Sequence, residues 1–175
     1  MGNTQAYPVL RTTELPEALA LAQELLMVAS SYVSAACYLE AWARTETDLE
    51  RLTALFPDAR FQSYGKGGSK IPISVNMGLS TFGQAAEALR AGVDICPLYV
   101  LWHNMTWPRV PELGLEEEHK YAELEIACSS HDIYCETPAR EHTVFIHSRH
   151  GDDGRVAWLA SKVGARIVGP AQDGW

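Results

Sequence analysis

The sequence predicts an α/β or α+β fold: a single mixed sheet of about five to seven strands, a long buried N-terminal helix, and further helices packed on the sheet. Three observations lead there. Residues 14–43, ELPEALALAQELLMVASSYVSAACYLEAWA, are rich in helix formers and carry apolar residues at helical spacing. Short runs such as PLYVLW at 97–102 and HTVFIHS at 142–148 have the length and composition of strands. Residues 86–97 and 160–170 share one layout, helix, Gly, strand, Pro, as helices feeding strands in βα units do.

Taken in order, YPVLR at 7–11 suits a short edge strand. The long helix follows, with Pro16 tolerated in its first turn. Leu19, Leu26, Ala29, Val33, Ala36 and Leu39 fall on one of its faces, while Leu21, Leu25, Val28, Tyr32 and Trp42 cover much of the rest. A helix apolar on so many sides must be buried on several, so it is expected to be a central core helix, with a homo-oligomer interface through it as the alternative. Thr47 and Glu50 have capping-box spacing, and the short helix they open ends at Pro57. Residues 59–77 then form two strands joined by a Lys/Gly loop. That loop, GKGGSK, lacks phosphate-loop spacing and has no helix behind it to hold an anion. Ser80 can cap a helix that Gly92 ends. VDICPLYVLW is apolar on both faces and belongs in the middle of a sheet. Residues 115–131 place Tyr121, Leu124, Cys128 and His131 on one helical stripe, although the alternation in AELEIAC also fits a strand. DIYCE and HTVFIHS suit strands, GRVAWLASKV a helix ended by Gly164, and ARIVG a last strand.

At 175 residues, 47% apolar and 21% charged, the chain fits one globular domain over 1–175 with a sizeable core. The net charge of −8 argues against general nucleic-acid binding, which relies on basic groups. No apolar run reaches the roughly 18 residues of a membrane span. The start carries no secretory pattern, and Ala6 breaks the myristoylation pattern, so a cytoplasmic location is expected. Cys37, Cys96, Cys128 and Cys135 are scattered and suit reduced, mostly buried thiols.

Charge is unevenly spread. Residues 112–136 carry Glu112, Glu116, Glu117, Glu118, Glu123, Glu125, Asp132 and Glu136 against Lys120 alone, whereas residues 59–111 lean basic. That polarity suits an acidic face that meets a protein partner, with Glu116, Glu117, Glu118, Glu123, Glu125 and Trp107 as its binding residues. Two loops gather groups able to do chemistry. One follows CPLYVLW and offers His103, Asn104, Thr106 and Trp107; the other follows HTVFIHS and offers Ser148, Arg149, His150, Asp152 and Asp153. If their strands are parallel neighbours, both loops converge on one cleft, and the catalytic candidates are His103, His147, Arg149, His150 and Asp152. Asp152 or Asp153 can equally cap the helix that begins near Arg155. Cys128 and His131 lie one helical turn apart and, with Cys135, are weak zinc candidates; with one tight pair instead of two, no metal and no cofactor are assigned. There is no Gly-x-Ser-x-Gly elbow to carry nucleophilic catalysis.

HSRHGDD resembles, in its position after an apolar strand, the histidine loop of metallo-β-lactamase-type hydrolases, but Asp153 stands where that loop has a histidine. RVAWLASKVGARIV is similar to the helix and strand that follow the acyl-CoA pyrophosphate loop of GNAT-type acyltransferases, and residues 7–26 are similar to that fold's first strand and helix. Gly151 matches the loop pattern, whereas Ser148 stands at its Arg/Gln position and Asp153 at its second glycine. Two aspartates there repel a pyrophosphate, so the resemblance implies a degenerate relative without CoA binding. The function expected is therefore that of a non-catalytic protein-binding or regulatory protein, an inhibitor or accessory factor, acting through a polarised acidic surface. The alternative is a small enzyme, a hydrolase or degenerate GNAT-like acyltransferase, using His103 and the 147–153 loop.

Overall fold

Chain order runs β1 (Thr4–Thr12), α1 (Leu15–Val28), β2 (Ala36–Ala43), α2 (Glu46–Leu55), β3 (Arg60–Ser63), β4 (Ile73–Leu79), α3 (Phe82–Gly92), β5 (Leu98–His103), β6 (Glu123–Cys128), β7 (His142–Arg149), α4 (Asp153–Lys162) and β8 (Gln172–Asp173). The structure is a computed structural model and describes residues 4–31 and 36–174. The eight strands form one sheet in the order β3-β4-β2-β5-β6-β7-β1-β8, every neighbouring pair antiparallel. All four helices pack on one face. There Leu39, Val100, Leu124, Ile126 and Ile146 from the strands meet Leu19, Leu25, Leu52, Leu89 and Leu159 from the helices in a single apolar cluster. Burying each such side chain is worth about 1.5–3 kcal/mol, so this face supplies most of the driving force for folding. None of the described helices is long and apolar enough to cross a membrane.

The mixed sheet of five to seven strands is thus corrected to an antiparallel sheet of eight. The reason lies in the connections: β5, β6 and β7 are consecutive neighbours joined by loops, and adjacent strands so joined run antiparallel. The long first helix is corrected too. It stops at Val28, and residues 36–43 are a strand between β4 and β5. Along that strand Cys37, Leu39, Ala41 and Ala43 are buried while Tyr38, Glu40 and Trp42 are half-buried, a period of two. Its alanines and leucine favour a helix locally, but pairing on both edges outweighs propensity. The apolar surplus that suggested self-association therefore belongs to a strand. What remains of the helix buries a single face, Leu15, Ala18, Leu19, Ala22, Leu25 and Leu26. Tyr32 and Val33, also assigned to the helix, lie outside the described residues.

Smaller shifts follow the same logic. In residues 115–131 the strand alternative holds, as β6. DIYCE forms a turn, and ARIVG is no strand: it runs beside β1, with Val168 N donating to Pro8 O at 2.8 Å. The YPVLR strand lies one place in from the edge, between β7 and the two-residue β8. The α2 capping box uses Thr45 and Asp48, two residues before the expected pair, and Thr81 caps α3 in place of Ser80. The expected hairpin is β3–β4, β5 is central, and Gly164 (φ 70°) follows α4 in the left-handed conformation that glycine adopts freely.

Candidate functional site

Since β6 runs antiparallel to both β5 and β7, those two point the same way with one strand between them. Their trailing loops lie at one end of the sheet and meet. The indole of Trp107 is fully buried and donates Nε1–H to His147 O at 2.7 Å. Arg155, also buried, donates Nη1 to Pro108 O and Nη2 to Glu116 O, both at 2.5 Å, and Nε to Asp152 Oδ2 at 2.7 Å. Ser148 Oγ donates to the same aspartate at 2.8 Å, which is why Asp152 caps no helix amide. Arg149 Nη2 sits 3.0 Å from Glu118 Oε2. A cavity of about 260 Å³ remains, with His150 exposed on its rim. Three of its charged groups, Arg149, Arg155 and Asp152, are already paired with neighbours, and the arginine fork ties one loop to the other. This junction is a clamp.

Chemistry collects instead on the sheet face away from the helices. Residues 129–141 cover part of it, with Ile133 and Cys135 buried against Ala6, Tyr99, Leu101, Ala127 and Phe145. Between that segment and the β3–β4 hairpin the floor of β2 and β5 is less covered. Two cavities of about 360 Å³ each open there, sharing Glu40 and Tyr99. Trp42, Arg44, Tyr64 and Tyr134 line the first; Tyr38, Leu101, His103 and Glu123 line the second. A further cavity, of about 690 Å³, lies between α1 and residues 163–168, away from these groups.

Strand register explains the gathering. Pairing of Trp102 with Leu124, and of Glu123 with His147, puts His103, Glu123 and His147 in one row across β5, β6 and β7. Two residues along, Tyr38, Leu101, Glu125 and Phe145 form the next row, and Glu40 stands opposite Tyr99 in the one after. Tyr99 Oη donates to Glu40 Oε2 at 2.6 Å and Ser74 Oγ to Glu40 Oε1 at 2.9 Å. Burial, then the Glu40 bond, pushes the Tyr99 hydroxyl far up.

Deepest of all is a carboxyl–imidazole pair. Glu125 and His147 are both fully buried, with Oε2 and Nε2 2.9 Å apart. Burial pushes the Glu125 carboxyl well up, helped by Glu123, Asp132 and Glu40 nearby. Burial also drops His147 to about 4, against a smaller opposing pull from Glu123. The imidazole is therefore neutral near pH 7, while burial shifts Glu125 toward its protonated form. The tautomer that satisfies most atoms has Glu125 donating to Nε2 and Nδ1–H facing Glu123 Oε2, 3.7 Å away. Glu123 is the member that reaches the cavity, and burial raises its carboxyl as well.

Of the expected catalytic residues, His103 and His147 share this face; Arg149, His150 and Asp152 belong to the clamp. Of the expected acidic binding set, Glu116 and Glu117 are exposed on the loop before β6, Glu118 is buried against Arg149, and Glu123 lines the cavity. Glu125 and Trp107 are fully buried and are not on the surface. The zinc candidates are split by the sheet: Cys128 lies in the helix-side core and Cys135 on the other face, with burial raising both thiols. His131 instead pairs with Glu141 at 3.0 Å. Tyr38, Glu40, Trp42 and Tyr99 were missed as site residues. The signal for the first three was present as alternation in CYLEAW, small or apolar residues against Tyr, Glu and Trp. Comparison with known protein families, with curated proteins and with solved structures found no match.

Proposed function

We propose that this protein is a non-catalytic binding protein, an inhibitor or accessory factor that captures a basic protein partner through an acidic and aromatic surface. One observation carries the reading. Glu40 and Glu123 stand in a ring-lined groove, and the loop bearing exposed Glu116 and Glu117 leads directly into β6, where Glu123 is the first residue. Acidic groups thus recur from Glu116 to Glu123, beside the clamp cavity and in the groove. Rim charge speeds and steers encounter, and aromatic walls hold what arrives. Four unpaired cysteines, three of them buried, support a reducing, cytoplasmic setting.

A second reading, a small hydrolase or acyltransferase-like enzyme, draws on the His103–Glu123–His147 row, in which a raised carboxyl sits between two imidazoles whose burial keeps them neutral. Calorimetric titration separates the two. An arginine- and lysine-rich peptide should bind, an acidic peptide should not, and the pair Glu116→Lys with Glu117→Lys should weaken binding about tenfold. Absence of binding by any basic peptide, or indifference to the charge reversal, removes the binding reading.

A further inference from the structure

The geometry points to one element of such a partner: an arginine side chain whose guanidinium enters the cavity bounded by Tyr38, Glu40, Tyr99, His103 and Glu123. This inference rests on the binding reading above and names its occupant. Size comes first. About 360 Å³ admits a single long side chain and no secondary-structure element. Charge is next, since the lining holds two carboxylates and no lysine or arginine. Burial keeps the His103 imidazole neutral, so it does not offset them.

Unfilled hydrogen-bonding capacity adds an independent pointer. Glu123 Oε2, sealed from solvent, has no hydrogen-bond donor, and neither does Glu125 Oε1 behind it. His147, wholly buried, also leaves Nδ1 without a partner and aims it at Glu123 Oε2 from 3.7 Å, beyond hydrogen-bond distance. Leaving buried polar atoms unmatched is costly. Of these three residues only Glu123 lines the cavity, its side chain about a fifth exposed, so a donor entering there meets the same carboxylate from its open side. The rings favour arginine over lysine. Tyr38 stands edge-on to Tyr99 (6.2 Å between centroids) and to His103 (5.5 Å), giving flat walls beside the carboxylate. A planar guanidinium can stack on such a wall while its fork donates to Glu123; a compact ammonium cannot do both.

The test is an NMR titration of the full chain with a hexapeptide carrying two arginines, and with its lysine and citrulline counterparts. The arginine peptide is expected to shift amides of β2, β5 and β6, the lysine peptide to bind at least threefold more weakly, and the uncharged citrulline peptide not to bind. Glu123→Gln and Tyr38→Leu, each with its amide spectrum otherwise retained, are expected to weaken arginine binding at least tenfold. Equal binding of citrulline, shifts confined to residues 112–118, or affinity unchanged in both variants overturns the pocket while leaving capture by the acidic rim standing. Failure of every basic peptide to bind overturns both.

Discussion

The two faces of the sheet bury their residues by opposite means. Toward the helices, the strands present Leu39, Val75, Val100, Leu124 and Ile126, apolar groups whose burial is favourable wherever it occurs. Toward the other side, the same strands present Glu40, Tyr99, Glu123, Glu125 and His147, groups whose burial is unfavourable unless each finds a partner. Along β6 the switch happens residue by residue: Glu123 and Glu125 face one way, Leu124 and Ile126 the other. Folding alone explains the first face. The second calls for a further reason to keep polar groups where apolar ones would pack as well, and the proposed recognition of a ligand would supply it.

If this contrast is right, truncation on the helix face should have the largest effect. Leu39→Ala removes a fully buried side chain at the middle of β2 and should lower unfolding free energy by about 3 kcal/mol in urea denaturation. A loss below about 1 kcal/mol would break the view that this face drives folding.

The second face should respond to pairing more than to volume. Glu125→Leu or His147→Leu alone strands a buried polar atom and should destabilise by about 2 kcal/mol. The double variant, apolar on both sides of the lost contact, should return close to the stability of the parent chain. Losses that simply add would show that the pair contributes through shape, and the comparison would lose its meaning.

Titration sharpens the contrast further. Folding raises the Glu125 carboxyl, so its contribution to stability falls as pH climbs above the ordinary carboxylate range, and raised Glu123 acts in the same direction. Folding lowers His147 from 6.5 to about 4, so its contribution rises with pH through that interval. In the parent chain the two oppose each other. Glu125→Gln removes the larger acidic part, and stability should then climb between pH 4 and 6.5 by up to ~1.4 kcal/mol per pH unit more steeply than in the parent. Parallel pH profiles for the two proteins would mean that Glu125 is ionised in the fold.

How legible each face was follows from how far apart its information lies along the chain. Hydrophobic patterning alone placed the β3–β4 hairpin, β5 as a central strand, β7, α3 and α4, because each is a short segment whose own residues carry the period. It misplaced residues 36–43, since alanine and leucine favour a helix when read locally and only pairing to β4 and β5 makes the alternation decisive. The candidate site was legible only in pieces. His103, His147, Glu123 and Glu125 were all marked, but as two loops and a helix surface instead of adjacent strands of one sheet.

By itself, then, the sequence determined an acidic chain with enough apolar residues for a two-layer core, most of the segments that build it, and the residue types able to bind or react. Tertiary structure decided which of them meet. Register across β2, β5 and β6 put residues as far apart in the chain as Tyr38 and Glu123 around one cavity, and burial moved their proton affinities. A period of two assigns a residue to a face; its neighbour on the next strand depends on a pairing that no local pattern encodes.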